Sequence, residues 1–261
     1  MVDPNGRTAL VTGASVGLGA EFARQLAAAG YGLVLVARRL DRLERLAAEL
    51  RDRHGVPAEA VEADLADPEG PPSIARELDR LGLAVDYLVN NAGSAGPDLL
   101  EDREWEEQAD YLRLMMTSVA RMCHLFIPGM RERRFGRVLN VASVAGRIPR
   151  ANDLNYGPSK AYVIALSEAL DLTLRSEGVR ACALCPGFTH TEFHAVADLL
   201  EEKAALPGFV WYDAEVVVRE GLAAIERGKC VHVSGRLYRW IDPILQSVWT
   251  RPLARRISGG G

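Results

Sequence analysis

The stretch TALVTGASVGLGAEFARQLAAAG, residues 8–30, decides the fold. Its first five residues are apolar or β-branched almost throughout, the habit of a strand covered on both faces, and its last twelve carry the alanine–leucine pattern of a helix. Between them stand glycines 13, 17 and 19 in a G-x3-G-x-G spacing. The same strand-then-helix order recurs along the chain. Apolar runs lie at GLVLVA (32–37), AEAVEA (58–63), VDYLVN (85–90), GRVLNVA (136–142), VRACALC (179–185) and KCVHVS (229–234). Helical stretches such as DRLERLAAELRDRHG and DAEVVVREGLAAIERG separate them. Alternation repeated this often requires right-handed crossovers and predicts an α/β chain, with one doubly wound parallel sheet of about seven strands flanked by helices. No composition break or linker divides residues 1–235, so they read as one domain, followed by a basic amphipathic extension over 236–261.

A chain of 261 residues can bury a full-sized core. Its 48% hydrophobic and 25% charged residues are ordinary for a globular protein. A net charge of −4 argues against a general nucleic-acid binder. The start MVDPNGRTALVTG lacks the basic-then-apolar pattern of a secretory signal, and no apolar run approaches membrane-span length, so the reading is a cytoplasmic protein. Cys182 and Cys185 form a CxxC, but in a strand that odd spacing sends them to opposite faces, and no second pair completes a zinc site. The four cysteines read as structural, with no metal implied.

A sheet of this kind binds ligands outside the carboxyl ends of its strands, where strand order reverses. The glycine turn sits at such an end. Gly13 permits the tight turn, Gly17 lets the backbone approach a pyrophosphate, and Gly19 lets the helix pack on the strand. The helix N-terminus then offers free N–H groups to phosphates. The second strand ends in Arg38 and Arg39 rather than in the acid that would bind the adenosine 2′-hydroxyl of NAD, and no nearby acid competes at that strand end. Guanidinium pairs strongly with phosphate, so this end suits a 2′-phosphate. Asp64, after the third strand, could hydrogen-bond the adenine amino group, and Asn91, Ala92 and Gly93 follow the fourth. Further along, LNYGPSKAYV places Tyr156 and Lys160 four apart. Asn155 reads as the N-cap of a helix that puts Pro158 in its first turn and stacks the two side chains on one face.

With TG-x3-G-x-G at 12–19, NNAG at 90–93, Ser143, Y-x3-K at 156–160 and PG at 186–187 in this order, the chain resembles the short-chain dehydrogenase/reductases over about residues 6–235. The resemblance implies a Rossmann-like domain with its substrate loop at about 188–212, and a nicotinamide cofactor, NADP(H) rather than NAD(H) on the two arginines. It implies hydride transfer between the ketone or aldehyde and the alcohol forms of a small-molecule substrate, and the aromatic residues of the lid make that substrate an apolar one, such as an acyl or steroid-like carbonyl. It assigns the cofactor to Gly13, Ser15, Val16, Gly17, Leu18, Gly19, Arg38, Arg39, Asp64, Leu65, Asn91, Ala92, Gly93, Tyr156, Lys160, Pro186, Gly187, Phe188, Thr189 and Thr191, and catalysis to Ser143, Tyr156 and Lys160. It further implies a homodimer or homotetramer formed through the helices before strands five and six. In this reading Tyr156 gives a proton to the developing alkoxide. A free phenol has a pKa of ~10, and a nearby ammonium favours the phenolate and lowers that value. Ser143 steadies the charge on the substrate oxygen.

Three features depart from the family pattern. Counting back from LFIPGM, the place usually held by an asparagine that links the lysine to bulk water falls on Met115, whose thioether is a weak acceptor; Thr117 and Ser118 are the candidate substitutes. The alternative function, a cofactor-binding protein with little or no turnover, rests on Met115 alone. His190 and His194 flank Glu192 in HTEFH, but the glutamate does not match H-E-x-x-H and no third ligand is evident, so they read as substrate-loop residues beside Phe188, Phe193, Phe209, Trp211 and Tyr212, an apolar lid. In the tail, Leu237, Trp240, Ile241, Ile244, Leu245, Val248 and Trp249 form one helical stripe amid Arg236, Arg239, Arg251, Arg255 and Arg256. That stripe either packs over the substrate mouth or a subunit interface, or makes peripheral membrane contact through residues 236–256.

Overall fold

Continuous apolar runs need cover on both faces, and the chain supplies it in two helical layers. The computed structural model describes residues 6–102, 104–190, 211–247 and 249. In chain order these form β1 (Thr8–Thr12), α1 (Gly17–Ala28), β2 (Gly32–Ala37), α2 (Leu40–His54), β3 (Ala58–Glu62), α3 (Gly70–Leu81) and β4 (Val85–Asn90). There follow α4 (Trp105–Leu112), a π turn (Arg113–Thr117), α5 (Ser118–Glu132), β5 (Gly136–Val141), α6 (Tyr156–Leu174) and β6 (Val179–Cys185). The two-residue strands β7 (Thr189–His190) and β8 (Tyr212–Asp213), α7 (Ala214–Glu226), β9 (Val231–Val233) and α8 (Arg236–Gln246) complete the described chain.

Seven strands form a parallel sheet in the order β3-β2-β1-β4-β5-β6-β9. Strand order reverses between β1 and β4, which puts the glycine turn and the 90–93 segment side by side at the edge where ligands bind. Alternate residues feed the two layers. Val11, Leu35, Val89 and Cys182 face Phe22 and Leu26 of α1, Leu43 of α2 and Val218 of α7. Leu10, Val34, Leu88 and Val138 face Ile74 of α3 and Met122 of α5, and Cys185 packs with Val163 of α6. Cys182 and Cys185 therefore lie in opposite layers, as their spacing required. Each such side chain taken wholly from water contributes about 1.5–3 kcal/mol, so the sheet is a stiff platform for the loops at its carboxyl edge.

Buried polar residues tie that platform together. Asn90 and Asn140 are paired across β4 and β5, and Asn90 Nδ2 donates to Asn140 Oδ1 at 2.8 Å. Asn140 Nδ2 donates to Ser167 Oγ of α6 at 2.9 Å, and Ser167 returns its proton to Val163 O at 2.7 Å. A polar group buried in an apolar strand must find such partners, and here they lash α6, the helix bearing Tyr156 and Lys160, to the strands beside it.

Candidate active site

The turn after β1 is built by close approach. Gly13 has φ +66°, and a Cβ there would lie 2.8 Å from Asn91 Nδ2. A Cβ on Gly19 would meet Gly13 O at 2.2 Å, so α1 can sit on β1 only without a side chain at that position. Thr12 Oγ1 accepts from the amides of Asn91 and Ala92 at 2.9 and 3.1 Å, and Asn91 Nδ2 donates to Thr12 O at 2.9 Å. The Asn91 side chain thus shapes the turn. No side chain caps α1, whose N-cap is Val16 in extended conformation, with the half-buried Leu18 packed on the core behind. Its first-turn amides are free to take an anion.

At the neighbouring edge, Arg39 Nη2 donates to Ser15 Oγ at 3.1 Å, and Arg38, 77% exposed, stands 3.9 Å from the Asp64 carboxylate. The expectation that no acid competes here is corrected: β3 delivers Asp64 beside Arg38, which strand-end sequence does not reveal. Both arginines nevertheless project at one corner with Ser15, and Leu65 is buried beside it. The uncapped helix, the side-chain-free turn and this cationic corner together fit a dinucleotide that carries an extra phosphate.

α6 begins at Tyr156 with Asn155 at the N-cap position, as its sequence predicts, but the Asn155 side chain makes no capping bond. Asn155 Nδ2 instead donates to Gln108 Oε1 at 2.7 Å and Pro97 O at 2.8 Å, and Asp153 Oδ1 accepts from Gly157 N at 2.7 Å. Asparagine can cap, but a carboxylate two residues earlier does that work and frees the amide to tie α6 to α4 and the loop before it. Lys160 is 6% exposed, donates from Nζ to Val141 O at 2.9 Å, and holds Nζ 5.7 Å from the centroid of the Tyr156 ring. A hydrogen bond links Ser143 and Tyr156. The three expected catalytic side chains thus converge.

Their acid–base balance differs from expectation. Burial pushes the Tyr156 phenol above its ordinary range, the bond to Ser143 opposes this, and Lys160 is not among the groups that move it. Burial also pushes the Lys160 ammonium down to about 8. The expected acidification of the phenol by the lysine is therefore not a property of these side chains alone, because each is desolvated and the ammonium lies over the ring face.

Met115 sits in the π turn, 1% exposed, and both its Sδ and Lys160 Nζ abut Gly93, within 3.2 and 3.6 Å of where a Cβ would stand. Neither candidate substitute reaches the lysine. Thr117 is exposed on the outer side of the turn, and Ser118 Oγ donates to Leu114 O of its own helix at 2.6 Å.

After β6, Pro186 O accepts from Val144 N at 3.0 Å, and the rings of Phe188 and Trp211 lie 5.2 Å apart, with His190 stacked on Trp211. Thr189, expected at the cofactor, turns its hydroxyl onto Gly187 O at 3.0 Å and is buried. Thr191, Glu192, Phe193, His194 and Phe209 lie outside the described residues, and among those described no cluster of three metal-ligating side chains occurs. A cavity of about 160 Å³ opens beside Tyr156, between residues 96–99 and 152–155. α8 packs on the segment after β6: a Cβ on Gly187 would stand 2.1 Å from the Tyr238 ring. Tyr238, which the stripe did not include, packs on the core, while the stripe residues Trp240, Ile241, Ile244 and Trp249 face solvent. The side chains of Leu245 and Val248, and Arg251, Arg255 and Arg256, lie outside the described residues. Sequence reading missed Thr12, Asn140 and Asp153; the signal for the first two was a polar residue in a run otherwise buried on both faces.

Residues 7–200 match the family described as short chain dehydrogenase. An uncharacterized oxidoreductase of Myxococcus xanthus is 34% identical over 83% of this chain and 88% of its own. A 3-oxoacyl-acyl-carrier-protein reductase of Aquifex aeolicus is 30% identical over 89% of this chain and 98% of its own. Among solved structures, a short-chain dehydrogenase from Sphingobium yanoikuyae in complex with NADPH superposes with a TM-score of 0.80 at 32% identity, over 90% of this chain and 91% of that one.

Proposed function

On the premise that the chain belongs to the short-chain dehydrogenase family, oxidoreductases that act on alcohol and carbonyl groups with a nicotinamide cofactor, we propose that it interconverts an apolar ketone or aldehyde and its alcohol with NADP(H). Tyr156 serves as proton donor in reduction and as acceptor in oxidation. The observation that carries this reading is the convergence of Ser143, Tyr156 and buried Lys160 at the carboxyl edge of the sheet.

The cofactor's phosphates would lie on Gly13, Ser15, Val16, Gly17, Leu18 and Gly19, its 2′-phosphate on Arg38 and Arg39, and its adenine near Asp64 and Leu65. Ala92, Gly93, Lys160 and the segment Pro186, Gly187 and Phe188 would face its nicotinamide half. When bound, it supplies or receives hydride at the carbonyl carbon. The Ser143 hydroxyl donates to the substrate oxygen and holds the charge that grows there. Tyr156 passes its proton to that same oxygen, and burial keeps the phenol protonated at neutral pH, as reduction requires. Lys160 supplies the cation that the resulting phenolate needs. The rings of Phe188, Trp211, Tyr212 and Tyr238 favour an apolar substrate. Exposed Tyr162 and Leu172 on α6 support a homodimer or homotetramer.

Absorbance of NADPH, followed over a panel of ketones and aldehydes, tests the activity; tight NADPH binding with no turnover of any of them would favour the non-turning cofactor binder. Arg38→Asp tests the cofactor assignment. Replacing a phosphate-binding cation by an anion should weaken NADPH about 100-fold, on a scale of ~1.5–3 kcal/mol for a charged hydrogen bond plus the added repulsion. NADH binding should change by less than about threefold. Equal losses for both would refute the 2′-phosphate site.

A second reading concerns α8, whose outward face carries Trp240 (78% exposed) and Ile244 (58%). Residues 236–261 hold five arginines against one aspartate, a charge of +4 in a chain of −4. Tryptophan and arginine on one exposed helix suit the surface of an anionic membrane. No described helix is long and apolar enough to cross one. The full chain should float with phosphatidylglycerol vesicles at low salt, and Trp240→Ser with Ile244→Ser should abolish this. Absence of flotation by the unaltered chain ends the membrane reading.

A further inference from the structure

Ser143 acts only if its hydroxyl is aimed, and it stands at the root of a short turn outside any long element. The turn spans Val144–Gly146, with Ser143 Oγ accepting from Ala145 N at 3.1 Å and Val144 N donating to Pro186 O at 3.0 Å. On one side it is pressed against α6: a Cβ on Gly146 would lie 2.6 Å from the carbonyl carbon of Lys160. On the other side it is held by α8. Arg147, the residue that ends the turn, forms a two-pronged ion pair with Asp242, Nε to Oδ1 at 2.5 Å and Nη2 to Oδ2 at 2.7 Å. Both side chains are largely shielded, at 19% and 17% exposure. One helical turn on, Gln246 Nε2 donates to Arg147 O, so the same face of α8 grips both the side chain and the backbone of Arg147.

α8 is itself anchored. Glu220 of α7 accepts from Ser234 Oγ at 2.8 Å, Gly235 N at 3.1 Å and Arg239 Nη2 at 2.8 Å. Leu237 N donates to Tyr212 OH at 3.3 Å, and Tyr238 lies on Gly187. A force on the Ser143 turn is therefore passed through Arg147, Asp242 and α8 to α7 and the sheet. α8 lies beyond the residues that match the family, so the match assigns it no part in the site.

We propose that Arg147, Asp242 and Gln246 form a latch by which α8 positions Ser143 against Tyr156, so that the C-terminal extension is a working part of the active site. They are positioning residues, since none touches the reacting atoms. A shielded two-pronged ion pair is rigid as well as strong, and its loss leaves a guanidinium without a countercharge, which drives the turn to rearrange. Small displacements of a catalytic group lower rates steeply.

The proposal rests on the oxidoreductase reading, and the test separates the two. In the full-length protein, Asp242→Asn should lower kcat for a carbonyl substrate about tenfold with KM for NADPH within about twofold. In a Ser143→Ala background the same change should lower kcat no further, because the latch has nothing left to aim. The exchange pair Arg147→Asp with Asp242→Arg should recover more than half of the loss. Amide hydrogen exchange should quicken at residues 144–147 in Asp242→Asn and not on β5. Where Asp242→Asn does not fold, Gln246→Ala, which removes one hydrogen bond, takes its place with an expected loss of about threefold. Losses that multiply with Ser143→Ala, or unaltered exchange at the turn, overturn the latch. If the unaltered protein turns over no carbonyl at all, it is the oxidoreductase reading that fails, and hydrogen exchange then decides the latch alone.

Discussion

Tyr156→Phe will lower carbonyl reduction by about 10²–10⁴-fold, the range for loss of a general acid, while NADPH affinity stays within about twofold. The substitution removes one oxygen and keeps the ring, so the packing at the start of α6 survives. What disappears is the hydroxyl that the proposed mechanism uses as proton donor, together with its bond to Ser143. The affinity should persist because the phosphate-binding parts, the turn at 13–19 and the corner of Arg38 and Arg39, share no hydrogen bond with the phenol. Stopped-flow absorbance separates the two quantities, with quenching of protein fluorescence reporting NADPH binding. A variant that retains a third or more of its turnover would mean that another group delivers the proton, and would remove Tyr156 from the centre of the mechanism. Ser143→Ala should fall short of that loss, because water can in part replace a hydroxyl that only donates to the oxygen.

Most strands were legible because they are apolar at consecutive positions, and the ligand edge was legible because sheet topology leaves few places where a polar cluster can face a ligand. The close-packed glycines 13 and 19 were readable on that ground, and the resemblance added Ser143, Tyr156 and Lys160, which the structure brings together. The failures share a different cause. Asn155 carries the right chemistry for a cap, but a side chain that can cap can equally reach Gln108, 47 residues away, and only the tertiary fold decides between them. Asp64 comes to Arg38 from the next strand, a proximity that no local reading contains. The π turn at Arg113–Thr117 changes the helical phase, which counting by turns does not show, and in it neither candidate substitute, Thr117 or Ser118, reaches the lysine. The tail pattern gave a stripe without saying which side of it faces the protein. There the polar contacts won: Asp242, Gln246 and Arg239 bind the core and turn Trp240 outward.

Lys160→Met should abolish the function and stabilise the fold at neutral pH, and the pH dependence of that gain is the sharper test. Burial lowers the Lys160 pKa from 10.5 to about 8. Below about 8 the lysine is charged in both states, so the native state bears the whole desolvation penalty, about 3 kcal/mol for a shift of that size. Between about 8 and 10.5 the unfolded chain keeps a proton that the native state has released, so stability rises with pH across this window and the penalty fades. Methionine fills similar volume without charge. It forfeits the bond to Val141 O, worth about 1 kcal/mol, which leaves a net gain of about 2 kcal/mol and a Tm roughly 5 °C higher at pH 7. By pH 10.5 the penalty has largely gone, and the lost bond to Val141 O should leave the variant less stable by up to about 1 kcal/mol. Calorimetry across this range decides; an unchanged or lower Tm at pH 7 would show that the ammonium is better solvated than its 6% exposure implies. A gain at pH 7 would mean that the buried ammonium is costly to the fold, which the proposed mechanism explains by the phenolate that Lys160 would have to balance when Tyr156 gives up its proton.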